Sequence, residues 1–390
     1  MSRDYQTLFP RPLPIPARPE IRTARGTPDR DELRWVLENA ALAPSGGNFQ
    51  PWKFAWDGAR LRCLFDEERT HYFTNYHHCE THVSLGAAVT NLEVAAQAIG
   101  FQTDVVAFPG GDDANPVCEL GFRPGPPEDD IVDLAAAIPY RMTCRRRGER
   151  APLASGNQEA MASLAAACGA KILWITDPDK LAEAGVVLGK LNRIGYLNPE
   201  SHSGIMKMLR WTEQEAEETR DGIPINTMEL SPVELTGLHL VTSYQVLKYM
   251  KNIGVGRWLE SMPAAWATSA SALCLLVLAR APSAGTFFEA GRILERLWLT
   301  ATVRGLAFQL LGVSSYFDRL LHGGGEGFSA DEREALDQAR SRYAALFEIP
   351  PGVCETVLFR IVRPNAAVGR APRRRVEDLM ADYTEHDHAG

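Results

Sequence analysis

The sequence predicts an α+β fold made of two related halves, each a sheet flanked by helices. Three observations support this fold class. Two strand-like runs flank the dipeptide Asp57-Gly58, which is typical of tight hairpin turns. A long apolar helix pattern that ends at Gly100 returns later and ends at Gly305. An arginine-threonine motif also occurs twice, as RTAR at 22–25 and as RMTCR at 141–145.

The composition excludes several classes of protein. The chain has 390 residues, of which 45% are hydrophobic and 23% charged, as expected for a globular protein with a large core. A net charge of −8 disfavours binding to nucleic acid. The longest apolar run, 271–279, is too short to cross a bilayer and is interpreted as a buried strand, so no membrane partner is expected. Residues 1–20 are rich in proline and indicate an extended arm rather than a secretory signal.

The seven cysteines include no CxxC pair, which indicates reduced thiols and a cytoplasmic protein. One segment, 70–82, is rich in histidine and contains Cys79. It could hold a metal, form a polar wall of a substrate pocket or lie at the surface. Because no second cluster of ligands accompanies it, we predict no metal site.

The first helix is expected to begin after Thr27 as N-cap, with Pro28 at its first position, and to end near Pro44. The second covers 85–99 and stops at Gly100, a residue that adopts the left-handed conformation easily.

The second helix is repeated, because residues 85–101 align with 290–306 without a gap and Gly86 falls on Gly291. Each arginine motif is also followed by a helical segment and a strand. The predicted organisation is an arm, a first half, a second half with a lid-like insert, and a polar tail, at 1–20, 21–137, 138–378 (insert 196–263) and 379–390. The polar sequence after Pro364 is expected to be disordered.

The most specific stretch is APSGGNFQPWKF at 43–54. Small residues after Pro44 allow the backbone to approach a flat ring, and Asn48 offers both a hydrogen-bond donor and an acceptor. The alternative is an ordinary turn that ends a helix. The stretch resembles the signature of the FMN-dependent nitroreductase family, and the two-half layout resembles its tandem subgroup, in which one chain imitates the family's homodimer.

This resemblance implies an FMN site shared between the halves. The isoalloxazine ring would lie on a loop of the first half, with Gln50 bracing that loop. The phosphate would be bound by the second arginine motif and by basic residues near the C-terminus, although solvated arginines at a domain edge remain the alternative. The implied cofactor-binding residues are Pro44, Ser45, Gly46, Asn48, Gln50, Arg141, Thr143, Arg145, Arg370, Arg373 and Arg374.

Only the first half has the ring loop, because the corresponding stretch of the second half reads AACGAK at 166–171. We therefore expect one FMN per chain, with the RTAR motif left unused. The resemblance also places the backbone N–H groups of Leu310, Leu311 and Gly312 near N5 of the flavin. It assigns no catalytic side chain.

By the same resemblance, NAD(P)H would reduce the flavin, and a nitro compound, a quinone or an activated alkene would accept the electrons. The enzymatic alternative is a flavin-dependent dehydrogenase or oxidase of a biosynthetic, azoline- or peptide-like intermediate. The non-enzymatic alternative is a flavin store or sensor closed by the insert. A monomer is expected, because the halves would imitate a dimer.

Overall fold

A computed structural model describes residues 6, 9, 12–20, 26–112, 114–148, 151–252, 257–364 and 369–381. The predicted RTAR motif, with Arg22, Thr23 and Arg25, lies outside the described residues. Residues 382–390 also lie outside them.

The first half forms a four-stranded antiparallel sheet in the order β1-β2-β4-β3. Its elements are α1 (Arg30–Ala41), β1 (Trp52–Trp56), β2 (Arg60–Phe65), α2 (Cys79–Ala98), β3 (Phe101–Ala107), β4 (Cys118–Pro124) and α3 (Ile131–Ala137).

Helix α1 begins two residues later than predicted, because Asp29 rather than Thr27 is its N-cap. The Asp29 carboxylate accepts the N–H groups of Asp31 and Glu32, and the Glu32 carboxylate accepts the N–H of Asp29. This reciprocal capping box satisfies more free donors at the helix end than a threonine cap would. The prediction of Thr27 and Pro28 as the helix start is therefore wrong.

The hairpin between β1 and β2 is confirmed, but its turn contains three residues, 57–59. Gly58 has a positive φ of 96°, whereas Asp57 does not. The carboxylate of Asp57 instead accepts the N–H groups of Ala59 and Arg60 at 2.8 and 2.7 Å. Asp57 thus stabilises the turn through its side chain.

The second half contains a four-stranded antiparallel sheet in the order β5-β8-β10-β9 and a short parallel pair, β6-β7. Its elements are α4 (Ser155–Ala167), β5 (Ala170–Ile175), α5 (Pro178–Leu197), α6 (Pro199–Met208), β6 (Leu209–Arg210), α7 (Glu213–Thr219), β7 (Ile223–Pro224), α8 (Pro232–Leu240), α9 (Tyr244–Asn252), α10 (Ser261–Thr268), β8 (Ala272–Leu278), α11 (Ala284–Val303), β9 (Ala307–Leu310), α12 (Ser315–Gly323), α13 (Ala330–Phe347), β10 (Cys354–Val362) and α14 (Val376–Leu379).

The two main sheets share one topology, which confirms the predicted α+β fold with two related halves. In each half the third strand along the chain lies at an edge, and a 20-residue helix, α2 or α11, connects the second strand to the third. The second half is longer than the first because of two long connections: 176–271 between β5 and β8, and 311–353 between β9 and β10. The predicted insert, 196–263, is therefore the larger part of the first connection.

Strand β8 confirms the predicted buried strand, because all seven of its residues are buried. Alternate side chains pack against α11 on one face and against α5, α12 and α13 on the other. A strand covered on both faces is uniformly apolar. No helix in the described part of the chain is long and apolar enough to cross a membrane.

Helices α2 and α11 cross at the two glycines that the sequence alignment pairs. A Cβ on Gly86 would lie 2.0 Å from the carbonyl oxygen of Phe288, and a Cβ on Gly291 would lie 2.0 Å from that of Val83. Both distances are far below van der Waals contact. The backbones of the two helices therefore touch, and only glycine fits at either position.

Each half also sends a segment to the other. After β10 the chain crosses to the first sheet, where Ala381 N–H donates to Phe54 O at 2.8 Å. Leu379 packs there into the hydrophobic core of the first half. After α3, Cys144 N–H donates to Phe308 O of β9 at 2.9 Å. Residues 369–381 are thus ordered, so the expectation of disorder after Pro364 is wrong for them.

We predict that Gly291→Ala lowers the free energy of unfolding by roughly 3 kcal/mol or more, because the added methyl overpacks the helix crossing. Urea unfolding followed by circular dichroism measures the change. Gly156→Ala in α4 is the control, because nothing lies within 4 Å of its added Cβ and alanine favours the helix. A Gly291→Ala protein as stable as the Gly156→Ala protein would contradict the close crossing.

Candidate functional site

A cavity of about 350 Å³ lies between the halves, a size typical of small-molecule sites, which span roughly 300–1,000 Å³. The structure brings most of the predicted site residues to its wall. Gln50 and Arg374 do not line it. The predicted residues that do are Pro44, Ser45, Gly46, Asn48, Arg141, Thr143, Arg145, Leu310, Leu311, Gly312, Arg370 and Arg373.

The loop that joins α1 to β1, residues 42–51, forms one side of the cavity. Three of its residues, Gly47, Asn48 and Gln50, have positive φ between 53 and 57°. A Cβ on Gly46 would lie 2.6 Å from Oε2 of Glu80, so a larger residue there would displace the Glu80 carboxyl. The equivalent connection of the second half, from α4 to β5, is only 168–169.

Gln50 is fully buried behind the loop. Its amide nitrogen donates to the carbonyl oxygens of Asn48 at 3.2 Å and Arg220 at 2.8 Å, and its side-chain oxygen accepts the N–H of Arg374 at 2.8 Å. Gln50 therefore ties the loop to the insert and to the segment after β10.

Asn48 is the loop residue whose side chain has an unused polar atom. Its amide nitrogen donates to the carbonyl oxygen of Pro372 at 3.0 Å. Its Oδ1 is buried and has no hydrogen-bond partner in the described part of the chain. A buried acceptor without a donor is costly. The site can therefore gain stability from a ligand that offers an N–H group.

Four guanidinium groups line one end of the cavity: Arg141, Arg145, Arg370 and Arg373. We call them the arginine cluster. One carboxylate, Glu295, lies behind them, with its Oε1 3.1 Å from Nε of Arg141. Burial raises the pKa of Glu295 to about 7. The cluster therefore carries an excess of positive charge in a desolvated place.

The repulsion is clearest at Arg373. Burial, together with the charges of Arg141 and Arg370, lowers the pKa of Arg373 to about 9, and its Nε has no hydrogen-bond partner among the described residues. Burial also lowers the pKa of Arg145 to about 10. Arg145 makes a long hydrogen bond of 3.5 Å to Thr227 Oγ1 and no ion pair with a described carboxylate. An anion in the cavity would relieve these costs.

The other arginines near the cavity are more firmly held by protein groups. Arg141 donates to Leu42 O at 2.6 Å and lies over the ring of Trp298. Arg370 donates to the carbonyl oxygens of Pro139 and Tyr140, each at 2.7 Å, and caps the turn before Arg141.

Arg374 points away from the cavity. It lies 3.4 Å from the Asp66 carboxylate and donates to Asp378 O at 2.8 Å.

The turn after β9 lies across the cavity from the loop. Leu311 N–H donates to Leu358 O of β10 at 2.9 Å, so this N–H is not free for a ligand. The N–H of Gly312 has no backbone partner in the described residues. Of the three groups predicted near N5, the one on Leu311 is thus used by the sheet.

The insert supplies a further wall. Its contribution is largely apolar and rich in sulfur, and α10 adds an indole ring. The lining side chains from this region are Tyr196, Ile205, Met208, Ile223, Thr227, Met228, Met262, Pro263 and Trp266.

The histidine-rich segment lines the cavity through residues other than its histidines. Thr74, Cys79 and Glu80 reach the wall, whereas His78 and His82 pack against the ring of Phe65. No group of side chains suited to a metal ion occurs in the described residues. The histidine pattern indicated this segment but not its member Glu80, whose carboxyl lies beside Gly46 of the loop and accepts a hydrogen bond from Ser315 after β9.

A second, more open groove of about 680 Å³ adjoins the cavity and shares Arg145 and Trp266 with it. Its remaining arginines are paired: Arg146 with Glu229, Arg147 with Glu234 and Arg210 with Asp221. The unbalanced charge therefore belongs to the central cavity.

Comparison with known proteins finds relatives that are named nitroreductases. No family profile matches the chain. The protein named "Uncharacterized protein MT1398" from Mycobacterium tuberculosis is 26% identical over 310 residues, which are 80% of this chain and 41% of that protein. "Putative NAD(P)H nitroreductase Rv3131" from the same species is 32% identical over 154 residues, 40% of this chain and 45% of that protein. The name of the second relative supports a relationship between this chain and the nitroreductase family. The chain spans less than half the length of these curated relatives.

A nitroreductase with bound FMN from Desulfitobacterium hafniense is 12% identical and covers 65% of this chain and 98% of its own, with a TM-score of 0.35. The nitroreductase NfnB from Mycobacterium smegmatis, in complex with NADPH, is 13% identical and covers 65% and 100%, with a TM-score of 0.34. Scores this low do not establish a shared fold.

We predict that sulfate binds the arginine cluster more weakly as the pH rises through about 7, the pKa to which burial raises Glu295. Ionised Glu295 cancels one positive charge, so affinity should fall by roughly tenfold. Sulfate is used because it stays a dianion over this pH range. Titration calorimetry on ligand-free protein measures its dissociation constant. Glu295→Gln should abolish the pH dependence. Equal affinity on both sides of this pKa in the unmodified protein would show that Glu295 does not influence the cluster.

Proposed function

We propose that this chain is an FMN-dependent oxidoreductase of the nitroreductase type, which takes electrons from NAD(P)H and reduces a small molecule. The observation that supports this most strongly is the arginine cluster, whose excess charge lies in the same cavity as a loop built for close approach of a flat ring.

The residues present fit an FMN molecule. The unpartnered Oδ1 of Asn48 can accept an N–H from the heteroatom edge of an isoalloxazine ring, and Ser45 and Gly46 line the cavity beside it. The phosphate matches Arg145 and Arg373, while Thr143 offers a hydroxyl beside them. When bound, the flavin supplies hydride transfer at N5.

The protein's own contribution is position and exclusion of water. Arg141 is held by Leu42, Trp298 and Glu295 and sets the positive field of the cluster. We propose that the insert at 196–263 acts as a lid, because its apolar side chains cover part of the cavity. A dry cavity strengthens every charge interaction within it.

The direction of electron flow is proposed from the relatives. Two of the proteins that this chain resembles are named NAD(P)H nitroreductases. Neither the dehydrogenase nor the storage alternative has a comparable observation in its favour, so we propose reduction of a nitro compound or quinone.

We propose one flavin site per chain, completed by parts of both halves. The first half provides the loop 42–51 and the second provides Arg145 and Arg373. The reciprocal site would need a loop between α4 and β5, where two residues make the whole connection. We also propose a monomer organised as halves 21–137 and 138–378, since the chain supplies its own interface.

We predict that Arg145→Gln weakens FMN binding by roughly 10- to 100-fold, the range expected for a lost charge-assisted hydrogen bond. Riboflavin lacks the phosphate, so its affinity for the Arg145→Gln protein should be within about twofold of its affinity for the unmodified protein. Quenching of flavin fluorescence measures both constants. Arg374→Gln is the control, because Arg374 points to Asp66 instead of the cavity. An equal loss for FMN and riboflavin would remove Arg145 from the phosphate site.

We further predict about one FMN per chain, because only the first half has a loop that admits the ring. Flavin absorbance of reconstituted, denatured protein against protein concentration gives the ratio. A ratio of about two would reveal a ring site in the second half and would overturn the shared-site arrangement.

A further inference from the structure

The cavity holds two carboxyl groups that the proposed flavin site does not use. These are Glu80 in the first turn of α2 and Asp318 in α12. The ion pairs of the described residues include neither of them. The lining guanidiniums all belong to the arginine cluster, so the cavity has a cationic end and an acidic end.

The Glu80 carboxyl lies between segments from opposite halves. Its Oε1 accepts a hydrogen bond from Ser315 Oγ at 2.7 Å. Its Oε2 would be 2.6 Å from a Cβ on Gly46, and Oε1 would be 3.7 Å from a Cβ on Gly312. Glu80 therefore borders both the loop and the turn between which the ring and its reaction partner would lie.

Asp318 connects this position with the outside. It lines the central cavity and also a smaller one of about 60 Å³, which His322 lines one helical turn further along α12. Glu355 of β10 lines the smaller cavity as well. A titratable group thus stands where the two cavities meet.

The surroundings of both carboxyls favour their protonated forms. Burial raises the pKa of Glu80. Burial, then the charges of Glu80 and Glu355, raises the pKa of Asp318 to about 8, with Arg340 opposing the shift. Other titratable groups act on the pair or respond to its charge from neighbouring elements: Tyr72 before α2, Cys79 in α2, Tyr316 in α12, Tyr343 in α13 and Cys354 in β10.

We propose that Glu80 donates a proton to the acceptor in the cavity and that Asp318 returns a proton to Glu80 from the smaller cavity beside His322. This inference rests on the proposed function. Reduction of a quinone to a hydroquinone adds one hydride, supplied through the flavin from NAD(P)H, and one proton. The hydride forms the O–H bond at one carbonyl oxygen, its two electrons pass into the ring as both C=O π bonds break, and the proton from Glu80 forms the O–H bond at the other oxygen. Water then reprotonates Glu80 through Asp318.

The pair is tested first in flavin-free protein. Carbon-13 NMR of the aspartate carboxyls should give Asp318 a titration midpoint at a pH of about 8. Glu80→Gln removes a negative neighbour, so the Asp318 midpoint should fall. Glu93→Gln is the matched control, since Glu93 lies in the same helix with a pKa also raised by burial but is absent from the cavity wall. An Asp318 midpoint that Glu80→Gln leaves unchanged overturns the relay.

Kinetics on the FMN-loaded protein separate the two roles. With menadione in a single turnover, Glu80→Gln should slow reduction by on the order of 10²-fold, the size expected for loss of a general acid. Asp318→Asn should leave the first turnover nearly unchanged and slow later ones, while Glu93→Gln changes neither. A Glu80→Gln rate within about twofold of the unmodified protein overturns the donor role. Failure to bind FMN would refute the proposed function, and the NMR titration would still decide the carboxyl pair.

Discussion

The close crossing of two long helices fixes the positions of two carboxyl groups of the site, Glu80 and Glu295, relative to each other. At Gly86 and Gly291 the backbones of α2 and α11 touch, so neither helix can shift along the other without a clash. Helix α2 carries Glu80 at its start, and α11 carries Glu295 in its middle. Strand β9 follows α11 and leads into the turn that lines the cavity. The separation between the acidic end and the arginine cluster therefore depends on a contact that lies outside the cavity.

The positive charges of Arg145 and Arg373 in the cavity are not neutralised by ion pairs with described carboxylates. Surface arginines such as Arg146 and Arg210 have carboxylate partners. Arg145 and Arg373, which are far more costly to bury, have no described carboxylate partner. A protein selected for stability alone would pair or remove such groups. Their cost is understandable if a ligand anion completes the cluster.

Local patterns predicted the helices, the hairpin, β8 and the two related halves, since each depends on short-range periodicity or turn chemistry. The family resemblance linked the loop to distant arginines, and most of the site residues that it implied line the cavity. The sequence could not show that Leu311 N–H is taken by Leu358, because strand pairing joins residues far apart in the chain. Nor could it distinguish Glu80 from other glutamates, since only the fold places Gly46 and Gly312 on either side of it.

The path of the segment after β10 has a consequence for how the protein is made. Residues 369–381 return to the first sheet, and on the way Arg370 and Arg373 enter the cavity. The loop at 42–51 leaves the ribosome more than 300 residues earlier in synthesis. A nascent chain therefore has the loop long before it has the complete arginine cluster. The arginine cluster is complete only after the first 373 residues have been translated, so under the proposed function FMN binds a chain in which both halves have been made.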